Sequence, residues 1–466
     1  MPEVLFVSKR HTVLLLLALV IESSPGRYAR AASTPAWLEP YRGPAARLVQ
    51  EAMGDAFAWQ RLATLTDSVG HRLSGSPELE RAIEWAVAEM KRDGLENVHT
   101  EPVMVPKWVR GRESAMIVQP VGHRIAMLGL GDSVGTPPNG IQAEILVVRS
   151  FDELEANASK AQGRIVVYNT PFTEYGLTRV YRSSGASRAA RHGAVAALVR
   201  AVGPAGLRLP HTGGLNYTEN APQIPAAAIA SEDADRLQRM HDRGDRVVVR
   251  LQMDAHFAGD VLSANVVGEL RGREKPEEVV VIGGHLDSWD VGAGASDDGG
   301  GCVATWEAVR LMKKLGLRPR RTVRVVLWTN EENGGRGGRA YRDAHIDELP
   351  NHVMMLEADS GLFQPVSFGI TANARAQATV TEIAGLLSGI AADTVAQGGG
   401  GADIEPSVRA GRIPSLSYDG TGDYFLIHHT EADTIDKIAP ADVSRAAAAI
   451  AVMTYVVADM PVRLGR

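Results

Sequence analysis

Val279-Val-Val-Ile-Gly-Gly-His285-Leu-Asp287-Ser-Trp-Asp290, continued by Gly294-Ala-Ser-Asp297-Asp298-Gly-Gly-Gly301, is the stretch on which the fold turns. The unbroken apolar run 279–283 reads as a strand buried on both faces. His285 and Asp287 stand where that strand ends, and a glycine-rich loop then opens a helix over 300–315 with Cys302, Trp306 and Val309 on one face. A second strand over 322–328 ends in Glu331-Glu332, and a third over 352–356 runs into Glu357 and Asp359. Strand, helix, strand from about 264 onward predicts an α/β domain whose mostly parallel, mixed sheet is flanked by helices. Another helical pattern covers 376–387, a glycine loop 398–401, and an alanine-rich helix over 439–459 closes the chain.

Outward from this core, 44–69 and 77–93 read as two helices. The second has Ser76 as N-cap, Pro77 in its first turn, Gly94 as its stop, and a stripe of Leu79, Ile83, Val87 and Met90. Strand-like runs follow at 98–105 and 114–119. From about 125 to 257 the texture changes to short β-rich runs (145–148, 164–168, 247–251) around a helical pattern at 186–192, predicting an inserted β-rich domain. The expected organisation is therefore 32–124 and 258–466 as one catalytic domain interrupted by an insert at 125–257.

Residues 1–31 read as a cleaved signal peptide: Lys9 and Arg10, the apolar run 12–21, and Ala29-Arg30-Ala31 as the cleavage site. Ten residues of helix span only about 15 Å, half a hydrocarbon core. The mature chain is expected to be secreted or periplasmic, with no stable membrane span. With 49 Lys and Arg against 55 Asp and Glu, the net charge of −6 speaks against a nucleic-acid partner. The one cysteine, Cys302, excludes an intrachain disulfide and a thiolate metal cluster, and reads as core beside Trp306. Any metal must be held by His, Asp and Glu.

Such residues recur after predicted strands or in glycine-rich loops: His285 and Asp287, Asp297-Asp298, Glu331-Glu332, Asp359, and His428-His429. Ligand crevices of open α/β sheets lie at the carboxyl ends of strands, so the set can converge. Oxygen and imidazole donors without sulfur suit catalytic zinc with an open position. Five ligands are too few for two closed tetrahedra unless a carboxylate and a water are shared, an arrangement suited to hydrolysis. Composition does not choose between Asp297 and Asp298 or between His428 and His429. Asp403 reads as a helix cap, with contact to a substrate amino group as its other reading.

The motifs His285-Leu-Asp287, Asp297-Asp298-Gly, Asn330-Glu331-Glu332, Glu357-Ala-Asp359 and His428-His429-Thr-Glu-Ala-Asp433-Thr resemble metallopeptidase family twenty-eight, the dizinc aminopeptidases, in its carboxypeptidase Q branch. The likeness extends to 65–76 (LTDSVGHRLSGS), Pro106-Lys-Trp108 and Pro210-His-Thr-Gly213, nearly the whole mature chain. It implies a zinc exopeptidase fold with a protease-associated insert, two zinc ions per chain, and a homodimer. It also implies that His285 and Asp359 hold one zinc, Glu332 and His429 the other, and Asp297 both. Glu331 is then the general base toward a water bridging the metals. Asp287 is placed to accept the other ring N–H of His285, and Asp433 to fix the loop bearing His429; a turn-capping carboxylate is the alternative for both. The implied substrates are dipeptides or short unblocked peptides. An aminoacylase-like hydrolase of N-blocked substrates is disfavoured because its second domain follows the Glu-Glu pair. A glutaminyl-cyclase-like transferase and a silent receptor-like binding protein are the remaining alternatives, and the latter would have lost ligands that are all present here.

Overall fold

The computed structural model describes residues 35–465, so the leader read at 1–31 lies outside the described residues. Two eight-stranded sheets carry the fold. The first runs Glu96–Val109, His256–Leu270, Arg321–Trp328, Lys275–His285, His352–Phe363, Ser415–Thr421, Ser367–Thr371, Val395–Gln397 in spatial order. Its four central strands, from Arg321–Trp328 to Ser415–Thr421, are mutually parallel; the strands flanking them on both sides pair antiparallel, and the edge pair Ser367–Thr371 with Val395–Gln397 is parallel again. Arg321–Trp328 is buried throughout, as a central strand covered by helices on both faces must be, and its two arginines are neutralised there by Glu278 and by Glu269 and Glu348. Gly300–Lys314 and Pro440–Asp459 pack against each other on this sheet, and Cys302 and Trp306 lie in the core as expected. The length and apolarity of Pro440–Asp459 would suit a membrane span, yet 83% of its most apolar window is buried inside the fold.

Glu96–Val109 and His256–Leu270 form a long antiparallel pair, Glu96 facing Glu269 and Val109 facing His256. Everything in the second sheet lies between them in sequence. That sheet uses strands from Glu113 to Met253, with Ile141–Val148, Ile165–Tyr168, Ala196–Arg200 and Ala226–Ile229 parallel at its centre. Tyr175–Arg191 and Ser231–Asp242 are its principal helices, so the region is α/β in character rather than simply β-rich. Its first strand, Glu113–Gln119, precedes the change of texture at 125 because its partner, Val248–Met253, is remote in sequence.

The single helix expected over 44–69 is two, Glu39–Met53 and Phe57–Ser68. Gly54 is a poor helix former, and Asp55 Oδ1 accepts from the Phe57 N–H at 2.9 Å, capping the second helix instead of continuing the first. Pro44 falls inside the first helix, with Pro40 in its opening turn. Pro77–Arg92 matches expectation: Ser76 caps it and Leu79, Ile83 and Met90 are buried, with Ala86 rather than Val87 completing the stripe.

Candidate metal centre and active site

The parallel register creates the site. Gly283 pairs with Glu357, so two residues further along each strand His285 and Asp359 emerge side by side, Nε2 to Oδ1 at 3.3 Å. Asp297 enters from the loop before Gly300–Lys314. Its Oδ1 lies 3.3 Å from His285 Nε2, and its Oδ2 lies 3.1 Å from His429 Nε2. Glu332 Oε2 is also 3.1 Å from His429 Nε2. The two oxygens of one carboxylate thus face two different imidazoles, each of which faces one further carboxylate.

Of the first doublet, Asp298 turns away. Its Oδ2 accepts from the His285 N–H and its Oδ1 from the Gly301 N–H, both at 3.0 Å, tying the strand end to the start of the helix. Gly284 has to be bare for this, since a Cβ there would meet Asp298 Oδ2 at 2.1 Å. Of the second doublet, His428 stacks behind His429 with ring centroids 3.8 Å apart. A nitrogen of His428 lies within 4.8 Å of ligand atoms of Asp297 and His429, but its Nδ1 is buried without a partner. Burial and the neighbouring His429 push its ring well below the usual range for protonation.

The outer partners differ from expectation in two places. His285 Nδ1 is 2.9 Å from the backbone carbonyl of Asp287, whereas the Asp287 carboxylate is 3.7 Å away. That carboxylate accepts instead from the N–H groups of Glu331 (3.1 Å) and Glu332 (3.3 Å) and from Ser74 Oγ (3.2 Å). Asp433 accepts from the N–H groups of Ser296 (2.7 Å) and Asp297 (3.1 Å), so its carboxylate holds the Asp297 loop rather than that of His429. His429 is held by Thr212: the Thr212 N–H donates to its carbonyl at 2.9 Å, and its Nδ1 lies 3.2 Å from the Thr212 carbonyl. Thr212 belongs to the second sheet's region and to the segment 210–213, whose presence the sequence marks without indicating a role. Arg72, fully buried in the segment 65–76, donates to the carbonyls of Leu286, Ala293, Gly294 and Gly70, fastening the loop between His285 and Asp297. Asp403 caps no helix. Its carboxylate is buried without a partner, while Glu357 Oε2 accepts from the N–H groups of Asp403 and Ile404.

The electrostatics show what the arrangement lacks. Burial alone would depress both ligand-like imidazoles, yet Asp359, Asp287 and Asp297 hold His285 well above its usual value, and Glu332 and Asp297 do the same for His429. Burial drives Glu331 well up, reinforced by Asp359 and Glu332; burial and Asp297 push Glu332 up to about 7. Asp297 alone is held well below the usual range, since the two imidazoles outweigh its burial. This is a buried cluster short of positive charge. His285 Nδ1 faces a carbonyl and His429 Nδ1 lies 3.2 Å from both the Thr212 carbonyl and Arg182 Nη1, while the Nε2 atoms of both rings are directed at carboxylate oxygens. Glu332 Oε1 and Asp297 Oδ2 are buried without a hydrogen-bond donor. Lone pairs converging in this way fit cations in two adjacent positions, and oxygen and imidazole donors without sulfur fit zinc. Beside them opens a cleft of about 600 Å³ whose lining includes Glu331, Asp359 and Tyr424 from the first sheet's region and Asp132, Tyr175 and Arg182 from the second's.

Comparison with known proteins agrees with this chemistry. Residues 265–454 match the model of peptidase family M28. Carboxypeptidase Q of Homo sapiens is 47% identical over 410 residues, covering 88% of this chain and 87% of that one. A peptidase M28 precursor from Shewanella amazonensis superposes with a TM-score of 0.88 at 34% identity, covering 92% of this chain and 98% of its own. A zinc aminopeptidase from Bacillus subtilis shares the fold, with a TM-score of 0.66 at 18% identity, covering 88% of this chain and 96% of its own. With similarity running through both sheets and the strand ends that gather the acidic and histidine side chains, the chain belongs to peptidase family M28 and is a metallopeptidase.

Proposed function

We propose that the protein is a dizinc exopeptidase that hydrolyses dipeptides or short unblocked peptides. In this reading His285 and Asp359 hold one zinc, Glu332 and His429 the other, and Asp297 bridges both. The observation that carries it is the placement of the two Asp297 oxygens, one at 3.3 Å from His285 and one at 3.1 Å from His429. When bound, a zinc pair supplies Lewis acidity toward the scissile carbonyl and lowers the pKa of the attacking water. Glu331 takes the proton from that water as its oxygen bonds to the carbonyl carbon, and returns it to the amine as the C–N bond breaks. Asp287 steadies the Glu331-Glu332 turn through both backbone N–H groups.

Export by the leader at 1–31, homodimerisation, and a protease-associated role for the second sheet complete the proposal. The test is hydrolysis of free and N-blocked dipeptides by the mature chain before and after chelation, with metal content measured on the same sample. Cleavage of free dipeptides only, lost on chelation and regained at about two zinc ions per chain, is the expected result. Cleavage of N-blocked substrates would move the reading to a carboxypeptidase or an aminoacylase-like hydrolase. Release of ammonia without a free amino acid would indicate the cyclase, and an inert, metal-free protein the binding module.

A further inference from the structure

The two imidazoles of the candidate metal centre are held in different ways. His285 ends a strand of the first sheet, and its Nδ1 faces the carbonyl of Asp287, two residues along the same segment. His429 is held from outside its own loop. Its backbone lies in the left-handed region, at φ 60°, which a residue with a Cβ adopts only where its surroundings impose it. The groups that impose it come from the second sheet's region. The Thr212 N–H donates to the His429 carbonyl at 2.9 Å, and the Thr212 carbonyl lies 3.2 Å from His429 Nδ1.

Thr212 is fixed in turn by Arg182, on the helix Tyr175–Arg191. The guanidinium is 6% exposed, its Nη1 donating to the Thr212 carbonyl at 3.1 Å and its Nη2 to Tyr175 Oη at 2.8 Å. Nη1 also lies 3.2 Å from His429 Nδ1. The buried arginines Arg61, Arg200, Arg321 and Arg324 each meet a carboxylate, whereas Arg182 meets none among the described residues. Its two Nη atoms are spent on holding Tyr175 and Thr212. Gly213 has to be bare for this packing: its φ is +129°, and a Cβ there would come within 2.4 Å of Arg182 Cζ.

We propose that Arg182 is a positioning residue for the metal centre: by pinning the Thr212 carbonyl it aims the His429 ring, so that the second sheet completes the position shared by Glu332 and His429. The position of His285 and Asp359 is carried by strands of the first sheet. The inference rests on the dizinc reading above and divides its two positions by the sheet each depends on. A histidine binds metal through one ring nitrogen when the other carries the proton and has an acceptor for it. Thr212 supplies that acceptor. A carbonyl oxygen has two lone pairs, and a guanidinium anchored at both Nη atoms takes one of them and keeps the other turned toward the ring.

The experiment titrates wild type, Arg182→Met, Arg182→Lys and Gly213→Ala with zinc against a chelator that buffers the free ion, and repeats Arg182→Met in a His429→Ala background. Arg182→Met should weaken one of the two positions by roughly tenfold to a hundredfold and leave the other within about twofold. Arg182→Lys keeps one donor for the Thr212 carbonyl and should recover part of the loss. Gly213→Ala displaces the guanidinium without removing it and should reproduce the loss. In the His429→Ala background Arg182→Met should change nothing further, because the ring it acts on is gone. Nitrogen NMR of the metal-free protein, isotope-labelled in histidine, gives a second readout. The ring signals of His429, identified by their loss in His429→Ala, should move in Arg182→Met while those of His285 do not. Equal weakening at both positions, an effect that persists without His429, or unmoved His429 signals would overturn the proposal. A wild type that takes up no pair of zinc ions would refute the dizinc reading, and the ring signals of the metal-free protein then decide alone whether Arg182 orients His429.

Discussion

Replacing Asp287 with Asn tests whether its carboxylate serves His285 or the Glu331-Glu332 turn. The side chain is fully buried and accepts from Glu331 N, Glu332 N and Ser74 Oγ at 3.1, 3.3 and 3.2 Å. Asn keeps the shape but turns one oxygen into a donor, so one of these donors loses its acceptor. A hydrogen bond to a charged group contributes about 1.5–3 kcal/mol, and an orphaned buried N–H costs a comparable amount. The damage falls on the peptide groups that place Glu332. The Asp287 backbone carbonyl, 2.9 Å from His285 Nδ1, is untouched by the substitution. Zinc affinity at the position proposed for Glu332 and His429 should therefore weaken by roughly tenfold to a hundredfold, while the position proposed for His285 and Asp359 stays filled. Titration against a chelator that buffers free zinc should show one tight and one weakened site in place of two tight ones. Parallel loss at both positions, or two sites unchanged within about twofold, would refute the assignment of the carboxylate to the Glu331-Glu332 turn.

Glu331→Gln should abolish dipeptide turnover with both zinc ions retained, as read by elemental analysis and a turnover assay on one sample. Gly284→Ala drives a Cβ to 2.1 Å from Asp298 Oδ2 and should cost about 1–3 kcal/mol in urea unfolding, with unchanged stability counting against the close approach. For His345, burial lowers the pKa, but hydrogen bonds to Glu101 and Glu348 outweigh it and raise it from 6.5 to about 9. The raised value means that this contribution is complete below pH 6.5 and is lost as pH climbs through about 9. The melting temperature should fall over that window in wild type and fall less steeply in His345→Asn. Chelation at neutral pH should lower the melting temperature as well as the activity, because the carboxylate cluster is left without its counter-charge.

Much of the site was legible because strand-end chemistry leaves a sequence signature. The apolar run at 279–283 and the β-branched, largely apolar run at 322–328 mark the strands, and polar residues directly after them mark the crevice. Neighbouring residues resisted, since which member of Asp297-Asp298 faces the imidazoles depends on local backbone geometry that side-chain chemistry does not encode. The carboxylate of Asp287 was misdirected for a similar reason. Spacing puts it near His285, but the chain turns so that its carbonyl, not its carboxylate, meets the ring. Thr212 acts through its backbone, where side-chain identity carries no signal. The start of the second sheet at Glu113 was hidden because a strand announces its own pattern and not its partner.

The pairing of Glu96–Val109 with His256–Leu270 sets an order of assembly. All eight strands of the second sheet are synthesised before the segment that must lie against Glu96–Val109. The second sheet can therefore collapse first and bring its two ends together, turning a very distant closure into a local one. Doubling a flexible loop costs only about 0.6 kcal/mol, yet the search for the partner strand slows as contacts become less local. A variant that unfolds the second sheet should then delay formation of the first, and the metal centre, which draws on strands completed last, should appear as the final step of maturation.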